Sequence, residues 1–171
     1  MRRVEYEALV EQGLLADARV ELLCGALVER APQGPAHADV VARLAAALTR
    51  ALPSAVIVRS HSPLALLDDS EPEPDIAVVP GGDYRSVHPS RALFVIEVAD
   101  SSLKDRGIKA ALYARAAIPE LWVFDLVAHV VEVHRQPSGD RYREITPVDA
   151  GGELTAAAFP DLRIRVADLL A

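Results

Sequence analysis

The stretch that decides the fold opens Pro74-Asp75-Ile76-Ala77-Val78-Val79, resumes after a loop as Leu93-Phe94-Val95-Ile96-Glu97-Val98-Ala99, and closes on a segment carrying Lys109 and Tyr113. Both opening segments are short apolar runs, the pattern of strands buried on two faces. A carboxylate inside such a run is costly unless it is paired or bound to a metal. Glu97 therefore needs a partner. Asp75 heads the neighbouring strand, and two adjacent carboxylates repel unless one is protonated or a cation lies between them. A hard divalent ion, Mg²⁺ or Mn²⁺, suits two carboxylates, water and a backbone carbonyl, here that of Val98. No group of His and Cys has zinc-type spacing, so zinc is not expected.

After Glu97, Ser102 stands three residues before Asp105, the spacing of a capping box, so a helix is expected from there to about Ala117, ahead of Pro119. Lys109 shares a helix face with Asp105 and Tyr113. The plain reading of Lys109 is an exposed partner of Asp105. The functional reading starts from the helix beginning where the Glu97 strand ends, which carries its first turns past the carboxylates. A lysine there can orient an attacking water and offset charge developing on a phosphate. Tyr113 reads as a packed aromatic with a tethered hydroxyl.

Upstream, Val4 to Gln12 reads as a short acidic helix ended by Gly13, and Arg19 to Arg30 as a hairpin turning at Cys24-Gly25. Glu21, in its first arm, would ordinarily face water. Its functional reading is a further acidic contact to the metal or the attacking water. Ala31 to Ala36 reads as loop. From His37 to about Leu52, Val40, Val41, Leu44, Leu48 and Leu52 recur at helical spacing, with Arg43 and Arg50 off the stripe and His37 exposed at the start. Strands are expected at Ala55–Arg59 and Pro63–Leu67, around a turn. Asp68 to Glu73 is an acidic loop and is expected to be solvated. Downstream, Leu121–Leu126 with a core Trp122, Val130–Arg135, Arg141–Val148 and Leu162–Val166 read as strands, followed by a terminal turn. No repeat or linker breaks the chain, so one domain over 1–171 is expected.

Composition sets outer limits. The chain has 171 residues, 51% hydrophobic and 25% charged, ordinary for a globular domain and unlike a disordered one. A single cysteine, Cys24, allows no internal disulfide and fits a cytoplasmic setting. No signal peptide and no apolar run of membrane length is visible. The net charge of −7 counts against avid non-specific binding to nucleic acid. It leaves a nuclease open, because a carboxylate-rich site is balanced by its metal and the basic residues can gather on one face.

The ordered set Glu21-Leu22 with Gly25, His37, Pro74-Asp75, Glu97-Val98, Asp105-Arg106-Gly107-Ile108-Lys109, Tyr113-Ala114-Arg115 and Ile118-Pro119-Glu120-Leu121-Trp122 resembles the Uma-two family of restriction-endonuclease-like proteins, within the PD-(D/E)XK nuclease superfamily. The resemblance covers about Val20 to Leu126. It implies an α/β (α+β) fold with a restriction-endonuclease-like core, a mixed β-sheet flanked by helices with an N-terminal hairpin. It also implies Asp75 and Glu97 as metal ligands, Lys109 as the catalytic lysine and Glu21 as an auxiliary acid. Three departures stand out. Glu97-Val98-Ala99 lacks the superfamily's strand lysine, which moves to the helix as Lys109. Ala117 and Leu121 stand where members often carry Gly and Tyr, and the linker before Asp105 is about one residue short. The expected activity is a Mg²⁺- or Mn²⁺-dependent endonuclease acting on nucleic acid, DNA foremost, as a homodimer. The alternatives are a catalytically inactive nucleic-acid-binding or scaffold protein with the same fold, and a non-enzymatic dimer in which Glu97 pairs with a basic residue.

Overall fold

The structure, a computed structural model, describes residues 1–100 and 103–170, with 103–106 as helical backbone alone. The chain runs α1 (Arg3–Glu11), β1 (Val20–Leu23), β2 (Ala26–Glu29), α2 (Pro35–Ala51), β3 (Val56–Ser60), β4 (Ile76–Pro80), β5 (Phe94–Ala99), α3 (Leu103–Arg115), β6 (Glu120–Asp125), β7 (Val130–Ser138), β8 (Arg141–Val148), β9 (Glu153–Ala156), β10 (Phe159–Arg165) and α4 (Ala167–Leu170). Among the described residues, six strands form one mixed sheet in the order β3-β4-β5-β6-β7-β8. Only β5 and β6 pair in parallel, and α3 is the crossover between them. An antiparallel pair can be joined by a turn, whereas a parallel pair needs a connection this long.

Strand alternation divides the core in two. Even-numbered residues of β4, β5 and β6 (Ile76, Val78, Phe94, Ile96, Trp122, Phe124) pack against the α2 stripe Val40, Val41, Leu44 and Leu48, together with β9, β10 and α4. Odd-numbered residues (Ala77, Val79, Val95, Leu121, Val123) pack against Leu112 and Tyr113 of α3 and Leu23 of β1. A strand buried on both faces cannot alternate apolar with polar, which accounts for the unbroken apolar runs in the sequence.

The β1–β2 hairpin turns at Cys24-Gly25, both with positive φ (50° and 80°), the two-residue turn that matches strand twist. α3 ends in a Schellman arrangement: Ile118 N donates to Tyr113 O at 3.0 Å and Ala117 N to Ala114 O at 2.9 Å, with Ala117 at φ 54°. That cap fixes the end of the helix that carries Tyr113.

Several expectations need correction. Pro63–Leu67 is not a strand: among the described residues it makes one isolated bridge, Leu67 to Ser70, and β3 pairs with β4 instead. α2 begins at Pro35, because proline at the first helical position loses no hydrogen bond. Asp75 lies immediately before β4 rather than inside it. β9 was not foreseen in Glu153-Leu154-Thr155-Ala156, a segment too short to show a period. The Ser102 capping box and the Asp105 side chain lie outside the described residues.

Candidate active site

β4 and β5 are antiparallel with Ile76 opposite Ile96, so continuing the register one residue sets Asp75 opposite Glu97. Directly opposed residues of an antiparallel pair share a face, here the one covered by α3. The third group arrives from that helix. Lys109 Nζ lies 3.3 Å from Glu97 Oε1 and 3.2 Å from Glu21 Oε1, and donates to the Glu73 carbonyl at 3.1 Å. Lys109 is 14% exposed and Glu97 12%, so the exposed-lysine reading is set aside.

Each carboxylate has its own anchors. Tyr113, one turn beyond Lys109, donates its hydroxyl to Glu97 Oε1 at 2.5 Å. Asp75 Oδ2 accepts from the Val98 backbone N–H at 2.8 Å and lies 3.1 Å from His37 Nε2. Asp75 Oδ1 is 3.5 Å from His61 Nδ1, which in turn lies 3.3 Å from Gln33 Nε2. Glu21 Oε2 accepts from the Glu73 backbone N–H at 2.8 Å. Arg30, at the end of the hairpin, ion-pairs with Glu73. Glu21, Arg30, His37, Asp75, Glu97 and Lys109 line a cavity of about 190 Å³, with Gln33 and Ile108 among its walls.

Burial and charge set the protonation pattern. Burial pushes the Glu97 carboxyl up to about 7. Asp75 and Glu21 push the same way, while the Lys109 ammonium and the Tyr113 hydroxyl offset only part of it. Burial also works against ionised Asp75, but the His37 contact, the Val98 N–H and Lys109 outweigh it and hold Asp75 below the ordinary carboxylate range. For Lys109, burial disfavours the charge, yet Glu97, Glu21 and Asp75 together raise it above an ordinary lysine. The site thus pairs an ionised Asp75 with a Glu97 that exchanges its proton near neutral pH, beside a fixed positive charge. Environments that drive two carboxyls apart in this way mark acid–base and ion-binding sites.

The sequence drew Glu21, Asp75, Glu97, Val98 and Lys109 together, and these groups stand together here. It missed the support around them. His37 was expected to be exposed and is 6% exposed, because it reaches Asp75 from α2 on the opposite side of the sheet. His61 gave no spacing signal, since it meets Asp75 through the fold alone. The acidic loop is largely buried rather than solvated: Glu71 is 4% exposed, and Glu73 lends its backbone to both Glu21 and Lys109. Tyr113 does tether its hydroxyl, and the tether is Glu97.

The donors offered are oxygens of Asp75, Glu97 and Glu21, the chemistry of a hard divalent ion rather than of zinc or copper. Among the described residues no three His, Cys, Asp or Glu side chains stand together as a metal cluster, and the Lys109 ammonium lies between Glu21 and Glu97. No helix among them is long and apolar enough to cross a membrane.

Comparison with known proteins agrees with the architecture. The crystal structure of a protein from Anabaena variabilis, titled a putative nuclease belonging to DUF820, superposes with a TM-score of 0.73 at 16% identity, over 88% of this chain and 89% of that one. At that identity the likeness speaks for the fold. No curated protein matches. The profile of the Uma2 family, described as "Putative restriction endonuclease", matches residues 4–167. With nearly the whole chain inside that match, the protein belongs to the Uma2 family.

Proposed function

We propose that this protein is a metal-dependent endonuclease that hydrolyses phosphodiester bonds in DNA with Mg²⁺ or Mn²⁺. The reading is carried by one observation: Asp75 and Glu97 share a sheet face, with Lys109 against Glu97. Family membership and the nuclease-like fold support it. Asp75, Glu97 and the Val98 carbonyl would hold the ion. Once bound, it would acidify a water near neutral pH and neutralise charge on the phosphate. Asp75 is already ionised and oriented by His37 and the Val98 N–H, so it needs no rearrangement to accept a cation. Glu97 gives up its proton as positive charge arrives. Lys109 carries a permanent charge to the phosphate side of the cavity, and Glu21, anchored on the Glu73 N–H, aims it. Tyr113 keeps Glu97 from swinging away. A two-fold dimer would let two such sites cut both strands of a duplex.

The test is cleavage of plasmid DNA and of a structured RNA with Mg²⁺, Mn²⁺ or chelator. The wild type should cut DNA with either ion. Asp75→Ala, Glu97→Ala and Lys109→Ala should each lower kcat by at least about 100-fold, the usual scale for losing a catalytic electrostatic group. Intact substrate together with no metal binding by the wild type would refute the proposal.

A second reading is favoured by one feature. Lys109 already neutralises Glu21 and Glu97 without an ion, as in a nuclease fold kept for binding or scaffolding. Folds do outlive their chemistry. In that case divalent ions leave the melting temperature unchanged, and duplex DNA is bound but left uncut in either ion.

A further inference from the structure

The face of the molecule away from α3 carries a second concavity. A cleft of about 470 Å³ lies between α2, β10 and α4, and four arginines line it: Arg43 and Arg50 from α2, Arg163 and Arg165 from β10. One acid, Asp168, lines it with them. Arg43 pairs with Asp39 at 2.7 Å and Arg165 with Asp168 at 2.7 Å, both pairs well exposed. Exposed pairs of this kind hold weakly and yield to a competing anion. Arg50 and Arg163 have no carboxylate within ion-pair distance among the described residues, and Arg163 donates only to the carbonyls of Pro160 and Leu162. The chain carries −7 overall, so this concentration of guanidinium groups runs against its average.

The cleft also has a definite relation to the candidate active site. His37, in the first turn of α2, touches Asp75, and the same helix then runs on to Arg43 and Arg50. At about 1.5 Å per residue these lie roughly 9 and 20 Å along the axis from His37. With phosphates about 3.4 Å apart along each strand of a duplex, that span corresponds to roughly three to six base pairs.

We propose that this arginine-lined cleft binds the phosphate backbone of duplex DNA flanking the site of cleavage. The assignment rests on the nuclease reading for the identity of the anion, and on charge complementarity for the surface. Guanidinium groups match phosphate oxygens in pairs, and backbone contacts of this kind set register without reading sequence. Asp39 and Asp168 release Arg43 and Arg165 as phosphates enter.

The experiment uses the full chain in chelator, so that nothing is cut, and a labelled duplex of about 30 base pairs whose binding is followed by anisotropy across a salt series. Three proteins are compared with wild type: Arg50→Gln/Arg163→Gln, Arg50→Lys/Arg163→Lys and Asp75→Ala. Both arginines are exposed, so a melting curve should show the fold intact. The glutamine variant should lose affinity and shed about 2 from the slope of log affinity against log salt, close to 0.9 per phosphate contact. The lysine variant should recover most of that slope, because the point charge remains. Asp75→Ala should keep the wild-type slope. An unchanged slope in the glutamine variant overturns the cleft assignment, whatever the cleavage result. So does a loss of self-association with DNA affinity intact, read by sedimentation, which would give the cleft to a second copy of the chain. If wild type fails to cut with metal while the slope difference holds, the nuclease reading fails and the cleft stands as a DNA-binding surface.

Discussion

Glu97 owes its position to two neighbours of different kinds, Lys109 by charge and Tyr113 by a hydrogen bond, and the two can be separated by pH. With its carboxyl at about 7, Glu97 is neutral at pH 5 and ionised at pH 8. Tyr113→Phe therefore removes an ordinary hydrogen bond at pH 5 and a charge-assisted one at pH 8. The expected loss is about 1 kcal/mol at the lower pH and about 2 at the higher, measured by urea unfolding in chelator. Glu71 gives a second residue-scale prediction. Burial, then Glu7 beside it, pushes its carboxyl to about 7, and its Oε2 has no hydrogen-bond partner among the described residues. Because the folded value lies above the unfolded one, Glu71 favours the folded state below about pH 4.5 and loses that contribution as pH rises through about 7. Glu71→Gln, neutral throughout, should match wild type near pH 4 and exceed it at pH 8 by on the order of 2–3 kcal/mol. A pH series of unfolding curves decides it. None of this was legible in Asp68 to Glu73, where a run of acids in a loop looks like solvated charge. The hairpin and α1 fold down over that loop, and only the fold reveals it.

At the scale of elements, the strand pair and the helix after it were readable because each has a local cause. Both apolar runs are too short and too continuous for anything but strands buried on two faces, and Lys109 and Tyr113 sit one helical turn apart. What gave no signal were meetings between distant elements. His37 and His61 converge on Asp75 only because α2 starts, and β3 ends, beside the head of β4. Pro63 to Leu67 has strand-like composition, but its Leu64 and Ala65 N–H groups go to the carbonyls of Pro72 and Pro89 rather than to a strand, and composition does not show that. The cap of α3 carries a prediction of its own. Ala117 holds φ at 54°, where a side chain is strained and glycine is not. Ala117→Gly should raise stability by roughly 0.5–1 kcal/mol net of the added chain entropy, seen as a higher melting temperature. Because the same cap ends on Tyr113 O, cleavage activity should be unaltered at temperatures where both proteins are folded.

For the whole molecule, the sheet separates two jobs: α3 brings Lys109 to the carboxylates on one face, while α2, β10 and α4 hold the arginine cleft on the other. An ion held by Asp75 and Glu97 would bind the folded chain alone. Millimolar Mn²⁺ should then stabilise wild type by an increment set by its affinity, about 2.7 kcal/mol at 100 times the dissociation constant, and raise its melting temperature accordingly. The increment should vanish in Asp75→Ala. Differential scanning calorimetry in Mn²⁺ and in chelator measures both.

Trp122 is the only tryptophan, fully buried with its ring centroid 5.0 Å from that of Phe94 and its indole N–H donating to Glu120 at 2.7 Å. It faces away from Glu97, with the thickness of the sheet between them. The protein thus contains a single tryptophan, screened from the candidate site. Its emission should stay blue and unmoved through a cation titration and shift red only when the sheet comes apart, so tryptophan fluorescence, excited apart from tyrosine, reports structural integrity.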